Sequence, residues 1–266
     1  MINLEQISSL PIEVTNDFRL KFNPPLRDIQ PAVRTLAEMV PVLMDPSFQS
    51  ERKEMYYMYR NIHMPEHVQT IRDNNIRYDI TVTPPTMLGQ EFNKMLGHYH
   101  PYKPGLTQPI AYPEVYEVLH GEALFLLQKT EPDYHKVLNV LAIRGKAGDK
   151  IIYPPNYGHI MVNTASEVLV TANWCADKFV SLYEPIKIHH GMAYYVVSDE
   201  VELFKFVPNS NYQDLPPVRM IDTKFMSKLA ISGSQPMYQT GVTNPESLDF
   251  LNNPEKYIME LAGITS

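Results

Sequence analysis

Three short stretches decide the fold of this chain: Gly97-His98-Tyr99-His100, Pro113-Glu114-Val115-Tyr116 and, much later, Gly158-His159. Side chains of a strand alternate between its two faces, so His98 and His100 are expected to share one face. Glu114 leads into another strand-like run, and His159 lies beside a third. Three imidazoles and a carboxylate on strands can hold a borderline divalent metal and leave positions open for water or substrate. Open positions favour chemistry over a purely structural ion.

The chain around these stretches is rich in short strand-like runs. Residues 77–83 alternate, with Ile80 and Val82 on one face and polar residues on the other. Because no helices interleave with the runs, the pattern predicts an all-β sandwich or barrel rather than a parallel α/β sheet. Further strands are predicted at residues 115–128 (two strands broken at His120-Gly121), 137–143, 150–153, 159–164, 167–174, 193–198 and 201–206.

The N-terminal part differs from this pattern. Residues 1–25 lack clear periodicity and are expected to form an arm over the body or a partner. Residues 27–44 carry apolar side chains at helical spacing, with Pro31 in the expected first turn and Pro41 at the expected end. They therefore predict a helix. Its apolar positions are Val33, Leu36, Met39 and Val40.

The C-terminal part predicts short helices. Asn244-Pro245-Glu246 and Asn253-Pro254-Glu255 each combine a capping residue, a proline and an acidic first turn. The domain boundaries predicted from these patterns are an N-terminal arm and helix (1–50), a β-barrel (51–206) and a C-terminal extension with short helices (207–266).

Composition excludes several classes of partner. The chain has 266 residues with a formal net charge of −7 and scattered basic residues, which disfavours nucleic acid and membrane surfaces. No apolar run approaches the roughly 18 residues that span a bilayer. The first 30 residues resemble no secretory signal, and the single cysteine, Cys175, fits a reducing compartment. We therefore expect a cytoplasmic protein that acts on a small molecule.

Two motifs in order resemble those of the cupins, which are small jelly-roll barrels. The first has two histidines separated by one residue, a glutamate, and a glycine after six more residues; here these are His98, His100, Glu114 and Gly121. The second is matched by Gly148, Pro154, His159 and Asn163. Asn156 stands where glycine is usual, and asparagine tolerates the left-handed conformation that such a turn needs. The resemblance implies an all-β cupin jelly-roll barrel.

Flanking residues narrow the resemblance. The stretches TVTPPTMLGQEFNKMLGHYH (81–100), PEVYEVLHGEALFLLQ (113–128) and GDKIIYPPNYGH (148–159) are similar to the cupin-type glucose-6-phosphate isomerases. This implies a metal-dependent isomerase that interconverts glucose 6-phosphate and fructose 6-phosphate as a homodimer. The implied metal ligands are His98, His100, Glu114 and His159, with Fe²⁺ as the family's metal and Zn²⁺ or Mn²⁺ also acceptable to such ligands.

The same resemblance assigns roles around the metal. Thr81 matches a threonine that contacts the substrate phosphate, and Gly97 matches a glycine whose backbone approaches it. Tyr116 matches an active-site tyrosine that binds the sugar or relays a proton, and Glu114 is the candidate catalytic base. Glu117 competes as ligand, but alternation places it on the opposite strand face.

Two departures from the family leave the phosphate contacts open. Met95 stands where a second phosphate-binding threonine is common, and Trp174 stands where a pocket tyrosine is expected. Tyr183 could supply a hydroxyl, and Lys94 or Lys103 could contact phosphate. Specificity for another sugar phosphate, such as mannose 6-phosphate, is therefore an alternative.

Other functions and routes stay open. A metal-dependent cupin dioxygenase needs the same ligands but no phosphate contacts, and a non-catalytic sugar-binding cupin usually loses ligands. Isomerisation can run through an enediol, with Glu114 as base, or by hydride shift. A rival motif, His63-Met64-Pro65-Glu66-His67, matches a zinc-peptidase pattern. Pro65 disfavours the continuous helix that this pattern needs.

Overall fold

The computed structural model describes residues 1–222, Leu229 and residues 235–265. Its strands are β1 (Ile2–Asn3), β2 (Ile12–Val14), β3 (Leu20–Phe22), β4 (Ala32–Thr35), β5 (Glu54–Tyr59), β6 (Ile76–Thr83), β7 (Met87–Leu88), β8 (Glu91–Phe92), β9 (Glu114–His120), β10 (Glu122–Thr130), β11 (Val137–Lys146), β12 (Lys150–Tyr153), β13 (Tyr157–Asn163), β14 (Leu169–Ala176), β15 (Tyr194–Ser198), β16 (Phe204–Pro208) and β17 (Val218–Ile221). Its helices are α1 (Glu5–Ser8), α2 (Leu36–Met39), α3 (Val68–Asp73), α4 (Glu184–Ile188), α5 (Met237–Thr243), α6 (Asp249–Asn252) and α7 (Ile258–Ala262).

Two sheets form the body of the protein. The first, which we call the central sheet, has the order β12-β9-β14-β6-β5-β4, and the second has the order β13-β10-β11-β17. Pairing in both is antiparallel except between β11 and β17. Side chains from both sheets share one apolar core, including Tyr116, Val118, Phe125 and Leu141. The sheets thus form the jelly-roll-like, mainly β arrangement that the strand pattern predicts.

The central sheet is buried on both faces. Its outer side chains, among them Tyr78, Ile80 and Trp174, form a second apolar core with the two ends of the chain. The indole ring of Trp174 stacks on Tyr238 of α5 at 5.9 Å, and its Nε1–H donates to the Met237 carbonyl at 2.9 Å. The N-terminal sheet, ordered β1-β2-β3, covers the same face. The residues of the site described below lie on the inner face, opposite this packing.

The prediction of a helix over residues 27–44 is wrong for most of that range. Ala32–Thr35 is an edge strand that pairs with β5, and only Leu36–Met39 and the 3-10 turn Val40–Val42 are helical. Thr35 caps α2 through a reciprocal pair of bonds with Glu38. Tertiary pairing decides the outcome, because an edge strand next to β5 satisfies the backbone and buries Val33 against the outer core.

The predicted helix starts in the tail are confirmed. Pro245–Leu248 and Pro254–Lys256 are 3-10 turns that lead to α6 and α7. Neither preceding asparagine forms the capping bond that its residue type favours. No helix among the described residues is long and apolar enough to span a bilayer. Residues 223–228, 230–234 and 266 of the predicted C-terminal extension lie outside the described residues.

Candidate metal centre

Backbone pairing brings the distant histidines together. His98 and His159 exchange backbone hydrogen bonds of 3.3 and 3.0 Å. This antiparallel pair places the segment that contains His98 and His100 beside β13. Glu114 is the first residue of β9, and its carboxyl group lies beside the same histidines. One ligand atom from each of His98, His100, Glu114 and His159 lies within 4.8 Å of the others, and all four side chains are buried. This group is the one cluster of its kind within the described part of the chain.

The distances fit a single ion. Nε2 of His98 lies 3.2 Å from Nε2 of both His100 and His159. Oε2 of Glu114 lies 3.5 and 3.6 Å from the Nε2 atoms of His100 and His159. Ligand atoms about 2.0–2.2 Å from one ion lie roughly 3.0–3.5 Å apart. The buried Oε2 has no hydrogen-bond partner among the described residues, and coordination to a metal would satisfy its lone pair.

Neighbouring groups hold the ligands in orientation. The Nδ1–H of His100 donates to the Tyr112 carbonyl at 2.8 Å, which leaves Nε2 as the metal-binding atom. Asn173 of β14 donates from Nδ2 to Oε1 of Glu114 at 2.6 Å, which turns Oε2 toward the histidines. The sequence did not identify Asn173 as a site residue. An amide side chain inside a mainly apolar strand could have indicated it.

Burial fixes the protonation of the ligands. Desolvation lowers the pKa of His100 to about 4 and holds the pKa values of His98 and His159 well below the usual histidine value. Desolvation, reinforced by the negative charge of Asp79, raises the pKa of Glu114 to about 8. At neutral pH the three imidazoles are therefore neutral and offer lone pairs, as metal ligands must.

A small cavity of about 40 Å³ opens from the ligands. Liquid water occupies about 30 Å³ per molecule, so this cavity has room for an ion and about one water. Phe179 closes one side, with its ring centroid 4.4 Å from that of His100. Ser181 and Tyr183 follow it in the cavity wall. In this conformation the cavity therefore has no room for a molecule larger than a few atoms.

The cavity wall also carries charges that the sequence did not reveal. Arg60 and Arg77 both line it, and both donate to the buried carboxylate of Asp79. Arg77 is also 3.7 Å from Asp177, which is more than half exposed. Apart from Glu114, Asp79 is the only acid among the described residues of this wall, which therefore holds two guanidinium groups and two carboxyl groups.

Several predicted site residues reach the cavity. Thr81, Tyr116 and Tyr183 line it, and Met95 lines it in place of the expected threonine. Gly97 is not in the wall, but it precedes His98 with a φ of +87°. Asn156 has a φ of +68°, as its place in the turn predicts.

Three other residues considered from the sequence do not line the cavity. Trp174 does not face the cavity, because it lies on the outer face of β14 between Asn173 and Cys175, which do. Lys94 is buried and pairs with Glu91. Lys103 pairs with Glu255 at 2.7 Å. Neither lysine lines the cavity.

Two alternative sets of candidate ligands, Glu117 and the pair His63 and His67, lie away from the metal-ligating cluster. Glu117 pairs with Lys150 at 2.9 Å and accepts from the Met237 backbone, so it belongs to the outer face as alternation predicts. His63 precedes a 3-10 turn that begins at Pro65 and ends at His67, and neither histidine belongs to the metal-ligating cluster. A larger surface cleft of about 880 Å³ lies elsewhere, beside His120, and contains no such cluster among the described residues.

The family model for glucose-6-phosphate isomerase (GPI) matches residues 33–213, which includes all four candidate ligands. The chain belongs to this family. Membership supports an isomerase-type function for the cavity. A search of curated proteins found no match.

Solved structures similar to this chain include a recombinant oxalate oxidase in complex with glycolate, with 16% identity, 40% of this chain and 42% of that chain covered, and a TM-score of 0.28. A 7S globulin from Momordica charantia has 18% identity, 51% and 35% coverage, and a TM-score of 0.34. Oxalate decarboxylase from Bacillus subtilis has 18% identity, 51% and 28% coverage, and a TM-score of 0.32. The chain spans less than half the length of each, and at these TM-scores the matches say nothing about its activity.

Proposed function

We propose that this member of the glucose-6-phosphate isomerase family is a metal-dependent enzyme that interconverts glucose 6-phosphate and fructose 6-phosphate. One observation carries the proposal: four ligand atoms meet at one point, and that point opens into a cavity whose wall holds Arg60 and Arg77. A metal ion held by these ligands can bind the reacting oxygens of a sugar, and guanidinium groups can donate hydrogen bonds to its phosphate.

The metal proposed is Fe²⁺, which the family resemblance favours, although three imidazoles and a carboxylate also accept Zn²⁺ or Mn²⁺. When bound, a divalent ion polarises the carbonyl oxygen and the neighbouring hydroxyl of the sugar as a Lewis acid. His98, His100 and His159 hold it as neutral donors, and Glu114 supplies the one negative ligand.

Glu114 is the proposed proton carrier. Asn173 fixes one oxygen of its carboxyl group, and the other oxygen faces the ligand cluster. A carboxyl group held in this way at the cavity can accept a proton from the sugar and return it. In the enediol route Glu114 takes the C2 proton and returns it to C1. In the hydride-shift route it moves only the hydroxyl proton.

Substrate contacts are proposed for three further residues. Thr81 lies on the inner face of β6 and lines the cavity, where we expect it to contact the phosphate. The family resemblance assigns a second phosphate contact to the Gly97 backbone, although Gly97 lies outside the cavity wall. Tyr116 follows Glu114 by two residues and faces the same cavity, where its hydroxyl orients the sugar. We further propose that the protein acts in the cytoplasm, as its composition suggests, and as a homodimer, as the resemblance implies.

The deciding experiment measures fructose 6-phosphate conversion by the purified protein after chelator treatment and after addition of Fe²⁺, Zn²⁺ or Mn²⁺. Activity that disappears with chelation and returns with one metal supports the proposal and names the ion. Absence of activity with every metal contradicts it. Mannose 6-phosphate conversion and oxygen consumption, measured in the same preparations, then test the sugar and dioxygenase alternatives.

A further inference from the structure

A second cleft adjoins the metal cavity and has a different character. One side of this cleft is formed by residues 26–29, which follow the N-terminal sheet. The other side is formed by residues between 60 and 72, which include most of α3. The volume of the cleft is about 550 Å³, which lies within the range of small-molecule sites. Arg60 lines both this cleft and the metal cavity. We call it the arginine cleft.

The arginine cleft concentrates positive charge in an acidic protein. Arg27, Arg60 and Arg72 line it together with His63, and Asp28 is the single acid among the described residues of the wall. The wall therefore carries a surplus of two positive charges, from three arginines and one aspartate. The whole chain has a net charge of −7. A surplus of this sign in a concave wall attracts anions.

Two of these arginines have free donors. The described residues contain no ion pair or side-chain hydrogen bond for Arg27 or Arg72, and both are exposed. Asp28 accepts from Gln30 at 3.1 Å and leaves both guanidinium groups unneutralised. Arg60 gives one nitrogen to Asp79 at 3.0 Å. Each arginine carries five N–H donors, so most of them remain available to a ligand.

We propose that the arginine cleft is a second ligand site, separate from the substrate cavity, that binds a small phosphorylated molecule. Arg27 and Arg72 hold the phosphate, because the guanidinium fork matches phosphate oxygens. Leu26, Ile29 and Val68 give the cleft an apolar wall for the organic part of the same molecule. This site does not depend on the reaction proposed above.

Arg60 connects the two sites physically. Its partner Asp79 lines the metal cavity, and Asp79 also accepts from Arg77 and from the Asn61 backbone N–H at 2.8 Å. Asn61 itself lines the arginine cleft. A phosphate that draws Arg60 toward the cleft therefore weakens one contact of an acid beside the metal ligands.

The test is isothermal titration of the full-length, metal-loaded protein with inorganic phosphate and with phenyl phosphate, at low ionic strength. Arg27→Gln and Arg72→Gln are each expected to weaken phosphate binding about tenfold, the usual effect of losing a charged hydrogen-bonding partner. Phenyl phosphate is expected to bind wild type several-fold more tightly than inorganic phosphate because of the apolar wall. Melting curves establish that each variant is folded.

Two control variants distinguish binding in the arginine cleft from a general charge effect and from binding in the substrate cavity. Arg144→Gln removes the same charge from an exposed position on β11 and is expected to leave the affinity within about twofold of wild type. Thr81→Val alters the substrate cavity and is expected to leave cleft binding intact. Unchanged affinity in Arg27→Gln and Arg72→Gln overturns the proposal. If only Thr81→Val abolishes phosphate binding, the proposal is also overturned, because the phosphate then binds in the substrate cavity and not in the arginine cleft.

Discussion

Asn173 holds Glu114 by a single short hydrogen bond, 2.6 Å from its Nδ2 to Oε1 of the carboxyl group. The two residues lie on neighbouring antiparallel strands, where β14 pairs with β9. The bond leaves Oε2 as the oxygen that faces the histidines. The geometry of the only acidic ligand in the cluster therefore depends on a residue that does not touch the ion.

Replacing Asn173 by alanine is expected to weaken metal binding about 10–100-fold, which is the usual cost of losing a group that orients a ligand. The measurement is a competitive titration against a chromogenic chelator. Asn139→Ala is the matched control, because Asn139 bonds the Tyr157 hydroxyl on the second sheet and lies outside the cluster. Equal metal affinity in both variants would show that Glu114 needs no such support.

Replacing Glu114 by glutamine is expected to lower turnover of fructose 6-phosphate at least about a hundredfold, because the amide cannot accept the proton. Turnover is measured at saturating metal, with bound metal quantified in the same sample. Near-normal turnover removes Glu114 from the chemistry.

Glu117→Gln is the control on the same strand. Glu117 forms a buried ion pair with Lys150 on the outer face, away from the cavity. This variant is expected to lose stability, by roughly 2 kcal/mol or more, and to keep its turnover. Chemical denaturation and the isomerase assay read the two effects separately.

Metal binding is expected to release close to one proton at pH 7. The metal-free carboxyl group of Glu114, with a pKa of about 8, is mostly protonated at that pH and must ionise to bind. Because that pKa is raised, apparent affinity rises with pH up to about 8 and then levels off. The lowered histidine pKa values add no further proton near neutrality. Calorimetry in buffers of different ionisation enthalpy counts the proton, and a count of zero contradicts the expectation.

Removing the Phe179 ring is expected to open the cavity. Phe179 contacts His100 and stacks on Tyr112, with ring centroids 5.2 Å apart. In Phe179→Ala a chelator should strip the metal at least about threefold faster, because the ring no longer restricts access. Stopped-flow measurement of metal loss gives the rate. An unchanged rate would place the entry path elsewhere.

Gly97→Ala is expected to destabilise the protein by roughly 2 kcal/mol or more. An added Cβ would lie 2.6 Å from Cγ2 of Ile160, and the φ of +87° disfavours alanine in addition. Gly105→Ala is the control, because Gly105 has a φ of +84° but no atom within 4 Å of the added Cβ. It should cost only about 1 kcal/mol, the conformational part. Denaturant midpoints compare the two.

The sequence by itself predicted strands β6 and β9–β16, and its resemblance to the cupin motifs indicated the members of the ligand cluster. Alternation placed Glu114 on the inner face and Glu117 on the outer one, and residues 150–153 form the predicted strand without change. These are local properties, because the two-residue period of a strand is written into the chain.

Only the tertiary structure decided which residues surround the cluster. Asn173, Arg60 and Arg77 come from strands or strand ends distant in sequence from the ligands, and pairing among β5, β6, β9 and β14 brings them to one cavity. Trp174 stands where the family has a pocket tyrosine, yet it lies on the outer face of β14, because adjacent residues of a strand point to opposite faces. Residues 32–35 became a strand because β5 offered a partner edge. Long-range pairing, unlike alternation, leaves no local mark in the sequence.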